Sequence, residues 1–276
     1  MQTKLISMTN RLQNTTLISN NIHKVKKHLE SFKENMQLQD TTSFHKNWLS
    51  QIPLFKRHSY HNDMCICLWD VTSNNFLFAV DEKGIMGYDM SDFTNSGGIE
   101  FSLANFHPEH MNAVHLINQC SSEWLARHQN APIERVVINL DALYRIKNGS
   151  YIHILQQIIP VEKDLAGNPF LFLSYVRDIT HLKKQPSVSC IFVAPGEVKF
   201  NRYSFETKQL ETVMPFTMGE NKVLRLLSDG KYTKYIAEKL SLSRHTVDTH
   251  RRNMLAKTSC VDTTALIAYC RITGLL

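Results

Sequence analysis

The sequence predicts an α+β chain, an antiparallel sheet domain followed by a small all-α domain of four helices. Three observations carry that prediction. Residues 58–185 read as two strands, a helical stretch and a three-strand meander. From Thr217 onward, four helical segments follow one another with short polar breaks. The charge is also divided: residues 216–276 hold ten Lys/Arg against five Asp/Glu, while residues 1–215 hold 21 against 20. A basic helical end on a neutral body points to a module that faces nucleic acid.

Length and composition bound the rest. The 276 residues suffice for two domains with cores of their own. Apolar runs such as "FLFLSYV" (170–176) fall far short of the roughly 20 residues of a membrane span. "MQTKLISMTNRLQ" lacks the apolar segment of a secretory signal, so a cytoplasmic protein with no membrane partner is expected. Cys65, Cys67, Cys120, Cys190, Cys260 and Cys270 are too scattered for a disulfide framework. In a strand, Cys65 and Cys67 would point to one face and read as small buried hydrophobes rather than a redox pair.

Residues 1–50 are expected as an N-terminal helical segment. Between 17 and 36, Ile18, Ile22, Val25, Leu29, Phe32 and Met36 repeat with a 4-3-4-3-4 spacing, the seam of a short coiled coil. This is either a dimerisation helix or an amphipathic helix lying on its own domain's sheet. Residues 51–187 form the sheet domain. "MCICLWDV" (64–71) and "NFLFAV" (75–80) are strands around the turn "TSN", and "PEHMNAVHLINQCSSEWLARHQ" (108–129) is the longest helix. "RVVINLDALYRI" and "YIHILQQIIPV" are joined at Asn148-Gly149, a hairpin signal, and "NPFLFLSYVRDIT" follows "AGNP". Such an order predicts an antiparallel sheet with helices on one face. Residues 188–215 follow as a hairpin ("VSCIFVA", "EVKFNRYSF") and a linker ("ETKQLETVMP").

"FHPEH" (106–110), "LYRIKNGSYIHI" (143–154) and "YVRDIT" (175–180) give residues 58–185 a resemblance to PAS domains. The resemblance implies a domain that senses a signal or sets dimer geometry; a ligand-free dimerisation scaffold is the alternative. No ligand-binding residue or cofactor is assigned. Trp69, Phe76 and Phe78 suit a pocket lining and an ordinary core equally well.

In residues 216–276, Val223, Leu224 and Leu227 give the first helix an apolar stripe, and Gly230 is a natural stop. Thr233 is placed to cap the second helix, whose Ile236, Ala237 and Leu240 face inward. Leu242 occupies the turn, and Ser243 caps the third helix near Thr246. Helix, short turn, capped helix is a helix-turn-helix, whose second helix enters the major groove. At about 100° per residue, Val247, His250 and Met254 face inward while His245, Asp248, Thr249 and Arg252 face outward. Arg244 and Arg251 flank the outward set within reach of phosphates, and His250 reads as a packed, hydrogen-bonded core histidine.

"FTMGENKVLRLLSDGK", "IAEKLSLSRHTVDTHRRNMLAKT" and the final "GLL" closely resemble the DNA-binding domain of LuxR-type (GerE-type) regulators. The resemblance implies that Asp248, Thr249 and Arg252 approach base edges. It places Thr233, Lys234, Ser243, Arg244 and Thr246 near phosphates. Two positions depart from the family: Tyr235 stands where an acidic residue is common, and Asp248 replaces a common lysine. Asp248 lies three residues before Arg251 and four before Arg252, suited to an intrahelical pair that orients a guanidinium. A carboxylate there accepts from cytosine N4 and is repelled by guanine's acceptor edge. The alternative is an aspartate that merely faces water.

"HPEH" and "HNDMC" raise a metal-dependent enzyme as a rival, but no ligand group recurs at metal-site spacing and no phosphate loop or nucleophile motif is present. A promoter-binding sigma-like factor would need a helical upstream region, and a receiver domain would alternate strands and helices. The expected function is therefore a non-enzymatic, sequence-specific transcriptional regulator. Its partners would be double-stranded DNA and a second copy of itself, with RNA polymerase and a small-molecule ligand of the PAS-like domain as further partners.

Overall fold

Eight strands form one antiparallel sheet in the order β2-β1-β5-β4-β3-β6-β7-β8. The computed structural model describes residues 19–34, 36–37, 40–95 and 97–276. Helices α1 (residues 19–34), α2 (Thr42–Ser50) and α3 (Ile52–Asn62) precede β1 (Cys65–Asp70) and β2 (Asn75–Val80). Next come α4 (Ser91–Thr94), α5 (Gly98–Ala104), a 3₁₀ turn (Pro108–His110) and α6 (Met111–Arg127). The meander is β3 (Val137–Arg145), β4 (Tyr151–Lys163) and β5 (Pro169–Asp178), followed by β6 (Ser189–Ala194), β7 (Glu197–Ser204) and β8 (Gln209–Val213). Four helices close the chain: α7 (Met218–Ser228), α8 (Thr233–Leu240), α9 (Arg244–Thr258) and α10 (Thr263–Thr273). Among the described residues no helix is long and apolar enough to cross a membrane.

The first two strands and the meander thus share one sheet, with the helical stretch between them packed on its face, the arrangement the PAS resemblance implies. The β3–β4 hairpin turns where expected, with Gly149 at φ +88° and the Asn148 carboxamide accepting from the Ser150 amide at 2.9 Å. Residues 206–215 correct the linker expectation. They hold the turn into β8, whose Leu210 pairs with Tyr203 of β7. The hairpin of 188–205 is therefore the extension of the main sheet, joined to β3 through pairs such as Leu140 with Cys190.

The expectation of helices on one face is also corrected. One face packs Cys67, Ile138, Leu140, Ile154, Phe172 and Phe192 beneath α1, α4, α5 and α6. Val25 and Leu29 of α1 are buried in that core, and Ile22, Phe32 and Met36 pack against it. The heptad seam is thus occupied by the chain's own domain; Ile18 lies outside the described residues. On the opposite face, Ile66, Leu68, Phe78 and Leu173 pack under α2 and α3 with Phe55, a helix pair that breaks at Pro53. Strands apolar on both sides, as β1 and β5 are, need cover on both.

The same outer face, farther along the sheet, is covered by the C-terminal helices. Leu155, Ile191 and Phe200 share one core with Phe216, Leu224, Leu266 and Tyr269. Backbone joins the two parts: the Lys184 amide donates to the Ser259 carbonyl at 2.8 Å and the Val261 amide to Leu182 at 3.0 Å. The last carbonyls of α10, which no helical amide can satisfy, accept from sheet side chains. Gln157 donates to Ile272 at 2.8 Å and Asn139 to Thr273 at 3.3 Å.

At the centre of this seam is Asp141 on β3, fully buried. Its Oδ2 accepts from Lys183 Nζ at 2.9 Å, Ser189 Oγ at 2.6 Å and the Tyr269 hydroxyl at 2.5 Å. Its Oδ1 accepts from His153 Nε2 at 3.2 Å. Burial pushes the Asp141 carboxyl up, but Lys183 and the hydrogen bonds from His153 and Ser189 outweigh it and hold the group well below the usual carboxylate range. Burial and the neighbouring Asp141 push the Tyr269 phenol well above its usual range, so it stays protonated and donates. Lys183 also donates to the Thr258 carbonyl at 3.0 Å and lies 3.9 Å from the Tyr269 ring centre. Removing one partner of a buried pair strands the other charge, a cost of about 3–5 kcal/mol. Asp141→Ala is expected to lower full-chain stability by that order in urea unfolding; a loss below about 1 kcal/mol would contradict this role.

Candidate nucleic-acid interface

The C-terminal helices are set by their caps. Thr217 and Glu220 form a reciprocal capping box on α7. Gly230, at φ +74°, ends the helix, with the Lys231 amide closing on Leu226. Val223, Leu224 and Leu226 are the buried residues of the stripe; Leu227, expected there, is half-buried. The α8 cap differs from expectation. Tyr232 occupies the N-cap without a side-chain bond, and Thr233 is the first helical residue. Ser241, at φ +53°, makes the turn, and the Leu242 amide returns to Ala237. Ser243 caps α9 as expected, accepting from the Thr246 amide at 3.0 Å.

Val247 and Met254 are fully buried, fixing which side of α9 faces the domain. The His250 ring packs over Gly219, where a Cβ would meet its Cε1 at 3.2 Å. It is half-buried, and among the described residues no side-chain hydrogen bond engages it, unlike the bonded core histidine expected. Ser243, Arg244, His245, Asp248 and Arg252 are exposed along the opposite side, with Thr246 and Thr249 half-buried between them. Lys234 is exposed and Thr233 half-buried at the start of α8.

The two adjacent arginines do different things. Arg251 donates to Thr263 Oγ1 at 2.8 Å, to Thr233 Oγ1 at 3.3 Å and to Asp248 Oδ1 at 3.4 Å. Its guanidinium ties α9 to both α8 and α10. Among the described residues Arg252 donates within its own helix, to Thr249 Oγ1 at 3.1 Å, and it is exposed. Asp248 therefore pairs with Arg251 and not Arg252, through an exposed contact worth at most about 1 kcal/mol. Thr263 escapes a reading of the sequence because its partner is on another helix, at no fixed spacing.

The histidine-rich motif is built into backbone caps. His107 Nδ1 accepts from the Glu109 amide, and His110 Nδ1 accepts from the Leu143 amide at 3.1 Å. Burial pushes the His110 imidazole down to about 3, so it is neutral at pH 7, as that acceptor role needs.

Glu220 links the first and third helices of the domain, accepting from Lys257 Nζ at 2.7 Å and from the Thr217 amide at 2.7 Å. Burial pushes its carboxyl up, but those two partners prevail and hold it below the usual glutamate value of 4.5. A depressed folded value gives stability that is complete above 4.5 and is lost as pH falls below it. Glu220→Gln is therefore expected to lower the melting temperature at pH 7 and to flatten its decline below pH 4.5. A variant whose pH profile parallels the native one would contradict the assignment.

Comparison with known proteins agrees with this geometry. Residues 214–270 match the family described as bacterial regulatory proteins, luxR family. The chain is 51% identical over 41 residues to the uncharacterized response regulatory protein YgeK of Escherichia coli K12, spanning 15% of this chain and 28% of that one. It is 36% identical over 63 residues to the regulatory protein SdiA of the same organism, spanning 23% and 26%. The chain thus spans about a quarter of the length of these curated relatives. It is also similar to the Vibrio cholerae VqmA–ligand–DNA complex, at 17% identity and a TM-score of 0.33, over 80% of this chain and 84% of that one. Residues 214–270 of this chain are therefore a helix-turn-helix domain of the luxR family of bacterial regulatory proteins.

Proposed function

We propose that this chain is a cytoplasmic, sequence-specific transcriptional regulator, not an enzyme, that binds double-stranded DNA as a homodimer through α9. Residues 216–276 are the reader in this proposal and the sheet domain is its mount. The observation that carries it is the exposed row of Arg244, His245, Asp248 and Arg252 on a helix whose opposite side is buried within a luxR-family domain. Arg252, held by no acidic partner, has the fork geometry to read guanine O6 and N7, and Asp248 accepts from cytosine N4 on a neighbouring pair. Ser243, Thr246, Lys234 and Arg244 serve the phosphates together with the α9 N-terminus. Arg251 contributes by bracing the helix, with Thr233 and Thr263 as its supports. Two heads one turn of DNA apart would read a near-palindrome, and RNA polymerase is the partner on which bound regulator acts.

For the sheet domain, the scaffold reading is favoured. The space between the sheet and α4–α5, lined by Cys65, Phe76, Tyr144 and Gln156, is about 20 Å³, room for one water. Of the aromatics considered for a pocket, Phe78 packs on the other face against Phe55. Trp69, tilted against Phe172, lines with it a second apolar cavity of about 50 Å³ beneath α1 and α6, and Phe76 lines the smaller space. The sensor reading draws on Ser102, Tyr144 and Gln156, which bring polar groups to that apolar space. Native mass spectrometry of the purified full chain separates them. A bare mass is expected, and a stoichiometric small-molecule adduct would favour the sensor.

Selection of duplexes from a random library with the full chain tests the reader. Two inverted half-sites about one helical turn apart are expected. Arg252→Ala should relax discrimination at one base pair by about 1–3 kcal/mol, and Asp248→Ala should change the preferred base beside it. Absence of any enriched sequence would contradict the proposal.

A further inference from the structure

We infer that the sheet domain itself grips the DNA backbone, through Lys184 in the β5–β6 connection, beside the C-terminal end of the recognition helix. The inference rests on the reading of α9 as that helix. The side of α9 that carries Arg252 runs on toward the C-terminus through half-buried Leu255, whose inner edge packs on the core, exposed Ala256 and the C-cap Ser259. Lys184 and Gln185, both exposed, stand against this continuation and enclose with it a groove of about 390 Å³. The Lys184 backbone is fixed there, because its amide is bonded to the Ser259 carbonyl at 2.8 Å. Arg202 of β7 approaches the same turn, with Nη1 3.5 Å from the Ala256 carbonyl.

Helix geometry says what this surface meets. Ser259 lies seven residues beyond Arg252, about 10 Å farther along the helix at about 1.5 Å per residue. The major groove is about 12 Å wide, so with Arg252 on a base edge the chain near Ser259 is at the groove's phosphate wall. A flexible lysine there is a point charge suited to a phosphate. Charge agrees: among the described residues no ion pair engages Lys184, Arg202 or Arg252. No carboxylate lines the groove. Arg202 faces Glu211 across the β7–β8 ladder, so Lys184 carries the test. The docked sheet thereby completes a binding surface that the luxR-family domain alone lacks.

The experiment is a salt titration of the full chain on a fluorescein-labelled, mixed-sequence duplex of about 30 base pairs, long enough for two heads one helical turn apart. Lys184→Ala is expected to weaken binding and to shrink the slope of log affinity against log salt by about 0.9 per head, one phosphate contact. Lys184→Glu should weaken binding further, while Lys56→Ala, on α3, should leave the slope as in the native chain. A native slope with Lys184→Ala overturns the inference while leaving the α9 reading intact, provided Arg252→Ala still weakens binding. Tighter binding by Lys184→Ala also overturns it, because the connection would then obstruct the duplex. If the native chain shows no salt-dependent binding, the α9 reading fails and the inference with it.

Discussion

Asp141 carries a buried charge that four side chains from separate stretches of the chain must satisfy. Ser189 and His153 come from the neighbouring strands, Lys183 from the connection between β5 and β6, and Tyr269 from the last helix. A carboxylate in such a place is tolerable only when all its partners are present. Sheet and reader must therefore be together for either surface to be satisfied. The amides of Asn139 and Gln157, which take the final carbonyls of α10, extend the same dependence along the seam. Surface salt bridges elsewhere on the molecule, such as Lys56 with Glu82 at 3.8 Å, carry little by comparison.

This docking leaves the outward face of α9 free. The domain presents its α10 end and the turn at Ser259 to the sheet, whereas Arg244, His245 and Asp248 remain exposed on α9. Arg251 spans three helices and Lys257 holds Glu220, so α9 is tied to the other helices of its domain. The orientation of an exposed helix can then be set from the sheet domain, with no segment among the described residues covering it.

Much of the fold is legible in the sequence, for local reasons. The strands of the meander, the Gly149 turn, the Ser243 cap and the buried Val247 and Met254 follow from periodicity and cap chemistry. Tertiary contact decides the rest. The 4-3-4-3-4 seam of α1 fits a partner helix or the chain's own sheet, and spacing alone leaves both open; Val25 and Leu29 are buried in the latter. "QLETV" reads as a linker because an edge strand can be short and polar. Helix α3 has no strong apolar stripe, yet Phe55 anchors it on the sheet. Within the candidate site, the outward row follows from helical spacing. The Thr263 brace and the approach of Lys184 depend on folding in three dimensions. One clue was available for the seam: Asp141 interrupts the apolar run "VINLDAL", and an acid within a buried strand requires partners.

Amide hydrogen exchange of the full chain tests the joined state most directly. The Lys184 and Val261 amides are bonded across the seam, to Ser259 and Leu182. If the reader is held on the sheet, both should exchange as slowly as amides of the central strands β3 and β4. Rapid exchange at those two positions, with α7–α10 still protected internally, would mean that the reader is only tethered, contradicting the account.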